Sequence, residues 1–158
     1  MILIQSWQEA AKAAFAIRQK VFIEEQGVPE DLEVDEFDPL ATHALAFQKS
    51  QCIGTGRLVP LEEKCGQIGR MAVLPRYRNT GVGRAILEGL VEHAQSVGME
   101  SLILHSQVAA IPFYENLHVS INFEPDLKMN NCDEMTPAQA AGIEFIAWLT
   151  EAKEKEGK

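Results

Sequence analysis

The chain has 158 residues, 46% of them hydrophobic and 23% charged, enough for one domain around a single sizeable core. Its net charge of −9 at pH 7 argues against general nucleic-acid binding, which requires a basic face. No run reaches the roughly 18 to 20 apolar residues of a membrane helix, and the opening MILIQSWQEAAK lacks the pattern of a secretory signal, so a cytoplasmic protein is expected.

MILIQ reads as a short opening strand. Ser6 is the expected N-cap of the next helix, with Glu9 three residues on as its capping-box partner. Ala10, Ala14, Ile17, Val21 and Phe22 recur at helical spacing until Gly27 and Pro29 end the pattern. Eight acidic residues then crowd the span from Glu24 to Asp38, which reads as loop with a helical turn. ATHALAFQ alternates as a strand does, QCIGTGRLVP is a second strand ended by Pro60, and QIGRMAVL follows a turn at Glu62–Lys64. Val82, Ile86, Leu90 and Val97, flanked by Leu87, Val91 and Ala94, give a broad apolar helical stripe closed by Gly98. SLILHS is a buried strand, VAAIPFYENL a short helix interrupted by Pro112, VSINFEP a strand, MNNCDEMTPAQA irregular and GIEFIAWL the last strand before a charged tail over 151–158. The order β-α-β-β-β-α-β-α-β-β specifies a mixed α/β sheet covered by helices, a single unit over residues 1–150.

Cys52, Cys65 and Cys132 show no metal-ligand spacing, and no metal is expected. Four of the six arginines, Arg70, Arg76, Arg78 and Arg84, lie within fifteen residues, where an apolar strand meets a helix. Between them runs Arg78-Asn79-Thr80-Gly81-Val82-Gly83, the form R-x-x-G-x-G. Its glycines let backbone N–H groups approach a ligand, and the helix that follows aims its unsatisfied amides and positive dipole end at the loop. Arg78 and Arg84 add donors suited to phosphate. The lysine and hydroxyl of a P-loop are absent, and the glycine order of a dinucleotide fingerprint is wrong.

The strand, the arginines, the R-x-x-G-x-G loop and the element order together resemble the acetyl-CoA-binding motif of the GNAT family of N-acetyltransferases. IRQKVFIEEQGVPEDLEVDEFDPLATHALAF is similar to a bacterial subgroup of that family reading V-F-x-x-E-Q-G, then E-x-D-x-x-D, then a histidine. AAIPFYENL is similar to the family's A-x-x-F-Y-x-x-L-G-F helix, and AGIEFIAWL to the subgroup's last strand. The resemblance implies a mixed, mostly antiparallel sheet of six or seven strands, helices on both faces, and a cofactor cleft between the fourth and fifth strands. It implies transfer of an acetyl group from acetyl-CoA to an amine.

By the same resemblance, the backbone of Met71, Ala72 and Val73 holds the pantetheine arm, and an amide near Ala72 or Val73 faces the developing oxyanion. Arg76, Arg78, Asn79, Thr80, Gly81, Val82, Gly83 and Arg84 hold the pyrophosphate, with Ser106 and Phe113 lining the cofactor. Tyr114 matches the position of the acid that protonates the leaving thiolate. A base is also needed, because an ammonium cannot attack. The glutamate that many members place on the fourth strand is replaced by Gly69, which leaves Glu24, Glu25, Glu33, Asp35 and His43 as candidates. Glu25 and His43 are carried forward as catalytic candidates. The acidic segment lies, in the family, near the acceptor entrance, so either a cationic small-molecule or peptide amine is drawn there or the segment is a solvated loop. A homodimer is compatible with the resemblance.

Three departures from the family fall on the acceptor side: His118-Val119 in place of Gly-Phe, a long stretch from Val119 to Gly142, and Glu144 in place of a histidine. They keep open a second reading, a non-catalytic acyl-CoA-binding sensor or partner module. A nucleotide-binding domain using the same loop is a third.

Overall fold

The computed structural model describes residues 1–107, 124–125 and 142–149. Within them, β1 (Ile2–Ser6), β2 (Thr42–Gln48), β3 (Gln51–Pro60) and β4 (Cys65–Val73) form an antiparallel meander in chain order. β5 (Ser101–Gln107) lies parallel to β4, β7 (Gly142–Trp148) pairs antiparallel with β5, and β6 (Glu124–Pro125) completes a seven-stranded mixed sheet. The parallel step requires a crossover, supplied by the helix between β4 and β5.

Two main helices lie on opposite faces, and the period-two alternation of β2 shows why. Leu45 packs with Ala10 and Ala14 of α1 (Trp7–Arg18). Its neighbours Ala44 and Ala46 point the other way, into the main core with Ile86, Leu87 and Leu90 of α3 (Val82–Ser96). A Cβ on Gly56 would stand 2.7 Å from the Met71 sulfur and 2.8 Å from Ile86 Cγ2. Glycine there lets α3 sit directly on β3.

Ser6 is the N-cap of α1, but its hydroxyl makes no bond to a helix amide; it reaches Glu9 Oε1 at 3.4 Å instead. The expected capping box therefore reduces to a contact between side chains. After Arg18 the helix widens into π-helical turns over Gln19–Glu25 and ends at Gly27, whose φ of +74° suits glycine. The acidic segment holds a four-residue helix, α2 (Glu30–Glu33), and a 3₁₀ turn over Asp38–Leu40. No helix among the described residues is long and apolar enough to cross a membrane. The expected helix over 108–117, most of the strand over 119–125 and the charged tail lie outside the described residues.

Candidate active site

β4 and β5 share a ladder from Cys65 to Ile68 against Ser101 to Leu104, and there it stops. Both strands continue, β4 to Val73 and β5 to Gln107. Among the described residues, the β5-facing edge of Gly69–Val73 therefore has no strand partner. A main-chain edge held open inside a sheet is a ready-made hydrogen-bonding surface for an extended ligand.

A bulge in β4 marks the parting of the strands. Thr55 pairs with Ala72 and Arg57 with Gly69, so Arg70 and Met71 together face Gly56. Arg70 takes a φ of +50°, uncommon for a residue with a side chain. An extra residue of this kind bends the strand and increases its twist, which turns β4 out of line with β5.

What holds Arg70 in that conformation is the acidic segment. Arg70 Nη2 donates to Asp35 Oδ2 at 3.1 Å and Arg70 Nε to the Glu33 carbonyl at 3.3 Å. Arg57 Nη1 reaches Asp35 Oδ1 at 2.8 Å and Asp38 Oδ1 at 3.0 Å. Arg18, on the buried side of α1, donates through Nη1 and Nη2 to the two Asp38 oxygens at 2.8 and 3.1 Å, and through Nε to Glu33. Three arginines thus balance three carboxylates, with Arg18 1% and Asp38 0% exposed. Burial raises the Asp38 carboxyl, but Arg18, the Asp35 amide and Arg57 together carry it below the usual carboxylate range. The E-x-D-x-x-D spacing is therefore a structural clamp from α1 to β3 and to the β4 bulge. Of the eight acids in the segment, Glu24, Glu30, Asp31 and Glu36 are exposed and outside the ion pairs among the described residues.

Beyond β4 comes a 3₁₀ turn over Pro75–Tyr77, then Arg78 in extended conformation, Asn79 at φ +62° and Gly81 at φ +90°. Gly81 is the N-cap of α3 and contributes no side-chain cap to the amides of the first turn. A Cβ at Gly81 would meet nothing within 4 Å; its glycine serves the left-handed backbone, not space. The Thr80 hydroxyl donates to the Tyr77 carbonyl and braces the loop. An open strand edge leading into a loop at a helix N-terminus has the shape and donors for an extended arm that ends in a pyrophosphate.

A family model described as the acetyltransferase (GNAT) family matches residues 5–118. The chain belongs to the GNAT family. The uncharacterized N-acetyltransferase YjcF of Bacillus subtilis is 34% identical over 108 residues, which is 68% of this chain and 76% of YjcF. A solved structure of a candidate N-acetyltransferase from Lactobacillus plantarum superposes with a TM-score of 0.79 at 26% identity, over 94% of this chain and 97% of that one. Escherichia coli ElaA shares the fold, with a TM-score of 0.74 at 18% identity, over 92% and 97%.

Set in the GNAT fold, the candidate residues separate into groups. Met71, Ala72 and Val73 lie on the unpaired stretch of β4, and Ser106 on the facing stretch of β5. Arg76, Arg78, Asn79, Thr80, Gly81, Val82, Gly83 and Arg84 follow one another through the loop into α3. Within this group Arg76 lies 5.9 Å over the Tyr77 ring, and Arg84 Nε contacts Glu88 one turn on at 3.1 Å.

Glu25 joins the group by its pairing with Arg78. His43 does not. It is 1% exposed, its Nε2 lies 3.0 Å from the Asp38 carbonyl, and its ring centroid is 4.8 Å from that of Trp7. Burial pushes its imidazole below the usual histidine range; the Asp38 carbonyl and charge oppose this, and Arg18 and Arg57 add to it. Glu33 and Asp35 lie in the clamp, and Glu24 is exposed. Phe113 and Tyr114 lie outside the described residues. The register sets Glu144 opposite His105 across β5 and β7.

Arg18 and Arg57 were not candidates, yet they anchor the acidic motif that borders the cleft. One sign was available for Arg18: it follows Ile17 inside the apolar stripe of α1, and a charge in a buried stripe needs a partner.

Proposed function

We propose that the protein is an N-acetyltransferase that carries an acetyl group from acetyl-CoA to the amine of a small molecule or peptide by direct attack. The carrying observation is the ladder that stops at Ile68 and Leu104 and opens onto the loop and α3. In this reading the main chain of Met71–Val73 and the residues from Arg76 to Arg84 bind the donor, and Ser106 and Phe113 line it. Acetyl-CoA would supply the thioester that the amine attacks and the thiolate that leaves. The amide near Ala72 or Val73 stabilises negative charge on the carbonyl oxygen. Tyr114 holds the proton destined for the sulfur.

The proton leaving the amine goes to Glu25 or to water; the burial and packing of His43 support a structural role for that residue. Exposed Glu24, Glu30, Asp31 and Glu36 favour a cationic acceptor.

The test is thiol release from acetyl-CoA across polyamines, aminoglycosides, amino acids and lysine peptides, run beside CoA calorimetry. Turnover with one amine class is expected. Tyr114→Phe should lower kcat by roughly 10²- to 10⁴-fold, the usual worth of a positioned acid, at nearly unchanged CoA affinity. CoA binding without thiol release for any amine would sink the enzymatic reading and favour the non-catalytic module.

A further inference from the structure

We infer that Glu25 is a resident counter-ion of the cofactor loop, which the pyrophosphate must displace from Arg78 in order to bind. The inference rests on the proposed use of this loop and adds to it a built-in competitor.

The geometry is that of two anions sharing one fork. A guanidinium has five N–H donors, and its two terminal nitrogens form the edge that grips a carboxylate or phosphate bidentately. Arg78 Nη1 and Nη2 each lie 2.7 Å from one oxygen of Glu25, and Nε donates to the Val73 carbonyl at 2.9 Å. The gripping edge is therefore already filled, and filled by an anion. A pyrophosphate that took the same two-pronged grip would need Glu25 to leave it.

Glu25 comes from a distant element, 53 positions earlier in the chain, at the end of the π-helical turns after α1. Those turns and the loop are thereby tied together across the mouth of the site. The contact with Arg78 holds the Glu25 carboxyl below its usual range, so the glutamate stays ionised at neutral pH and competes at full charge. The side chains of Arg78 and Glu25 are 38% and 39% exposed. A pair that wet is weak, and a ligand bringing two phosphates to the N-terminal turn of α3 can exchange with it. Neighbouring arginines offer Glu25 no substitute among the contacts seen: Arg76 lies over Tyr77, and Arg84 reaches Glu88.

Removing the competitor should tighten binding. In calorimetry at low salt, Glu25→Gln is expected to bind CoA about two- to fivefold more tightly than the parent, the range set by an exposed ion pair. Against an Arg78→Gln background the same change should shift affinity by less than about 1.5-fold, because the shared fork is gone. Unchanged or weaker binding by Glu25→Gln would overturn the inference, as would an equal gain in both backgrounds, which signals long-range repulsion. Failure of the parent protein to bind CoA is a separate result, and it would overturn the assignment of the loop.

Discussion

Asp38→Ala is expected to lower the melting temperature by about 6–20 °C. Asp38 accepts from Arg18 twice, from Arg57 and, through Oδ2, from the Asp35 amide at 3.1 Å, and it has no exposure to water. Its loss leaves Arg18, itself 1% exposed, with one carboxylate where there were two. Breaking a buried pair in this way costs about 3–5 kcal/mol, because the remaining charge stays desolvated. At this chain length each kcal/mol moves the midpoint by roughly 2–4 °C. Asp31→Ala, a neighbouring exposed acid, is the control and should stay within about 0.5 kcal/mol of the parent. A melting curve for Asp38→Ala that overlays the parent would show that the clamp contributes nothing.

The same clamp gives the protein an acid limit. The folded-state pKa of Asp38 lies below the ordinary carboxylate value. Its contribution is complete above about pH 4, the unfolded value, and fades as pH falls toward the folded one. His43 acts in the same direction from a higher starting point: it is buried in its neutral form, so stability falls as pH drops below about 6.5. Denaturant midpoints taken from pH 8 down to about pH 2 should therefore decline in two stages, the first below about pH 6.5 and the second below about pH 4, and replacing His43 by glutamine should flatten the upper one.

Gly83→Asp is expected to separate stability from cofactor binding. Gly83 is the second residue of α3, where a carboxylate faces the positive end of the helix dipole and is favoured by about 0.3–1 kcal/mol. Aspartate is also a slightly better helix former than glycine. The variant should melt at or above the parent temperature. The same carboxylate would stand beside the proposed pyrophosphate site. One like-charge pair at about 5 Å in an effective dielectric near 20 repels by roughly 3 kcal/mol, or about a hundredfold or more in affinity. Calorimetry against CoA, with a thermal melt on the same sample, reads both quantities. Full CoA affinity in a well-folded Gly83→Asp protein would place the phosphates elsewhere.

Local pattern carried most of the frame. The alternation in 41–48, the apolar stripe of α3 and the R-x-x-G-x-G loop at a strand-to-helix junction are short-range features, and each appears where the pattern places it, except that Val97, expected in the stripe, follows the helix and is 57% exposed. Three features that shape the site lay beyond such reasoning. The π-helical turns over Gln19–Glu25 leave no distinct period in seven residues. The bulge at Arg70 depends on register against β3, which a strand alone does not encode. The clamp joins residues 15 to 37 positions apart, and nothing in a run of acids tells which will be buried against a distant arginine. Here Glu33 and Asp38 turn inward while Phe37 and Leu40, at 43% and 68% exposure, turn out. The usual inference from a charged run to a solvated face therefore holds for Glu24, Glu30, Asp31 and Glu36 and inverts at Glu33 and Asp38.

The four-residue ladder between β4 and β5 has a mechanical consequence as well. Among the described residues it is the sole seam between the β1–β4 meander and the β5–β7–β6 remainder. A sheet joined over so short a seam behaves as two plates on one hinge, and the stiffness against splaying scales with the seam, not with the full length of the strands. The brace across the hinge is α3, whose Ile86, Leu90 and Ala94 share one core with Ile68 on one plate and Leu102 and Leu104 on the other. Among the described residues, the width of the gap is thus governed by how tightly α3 is seated.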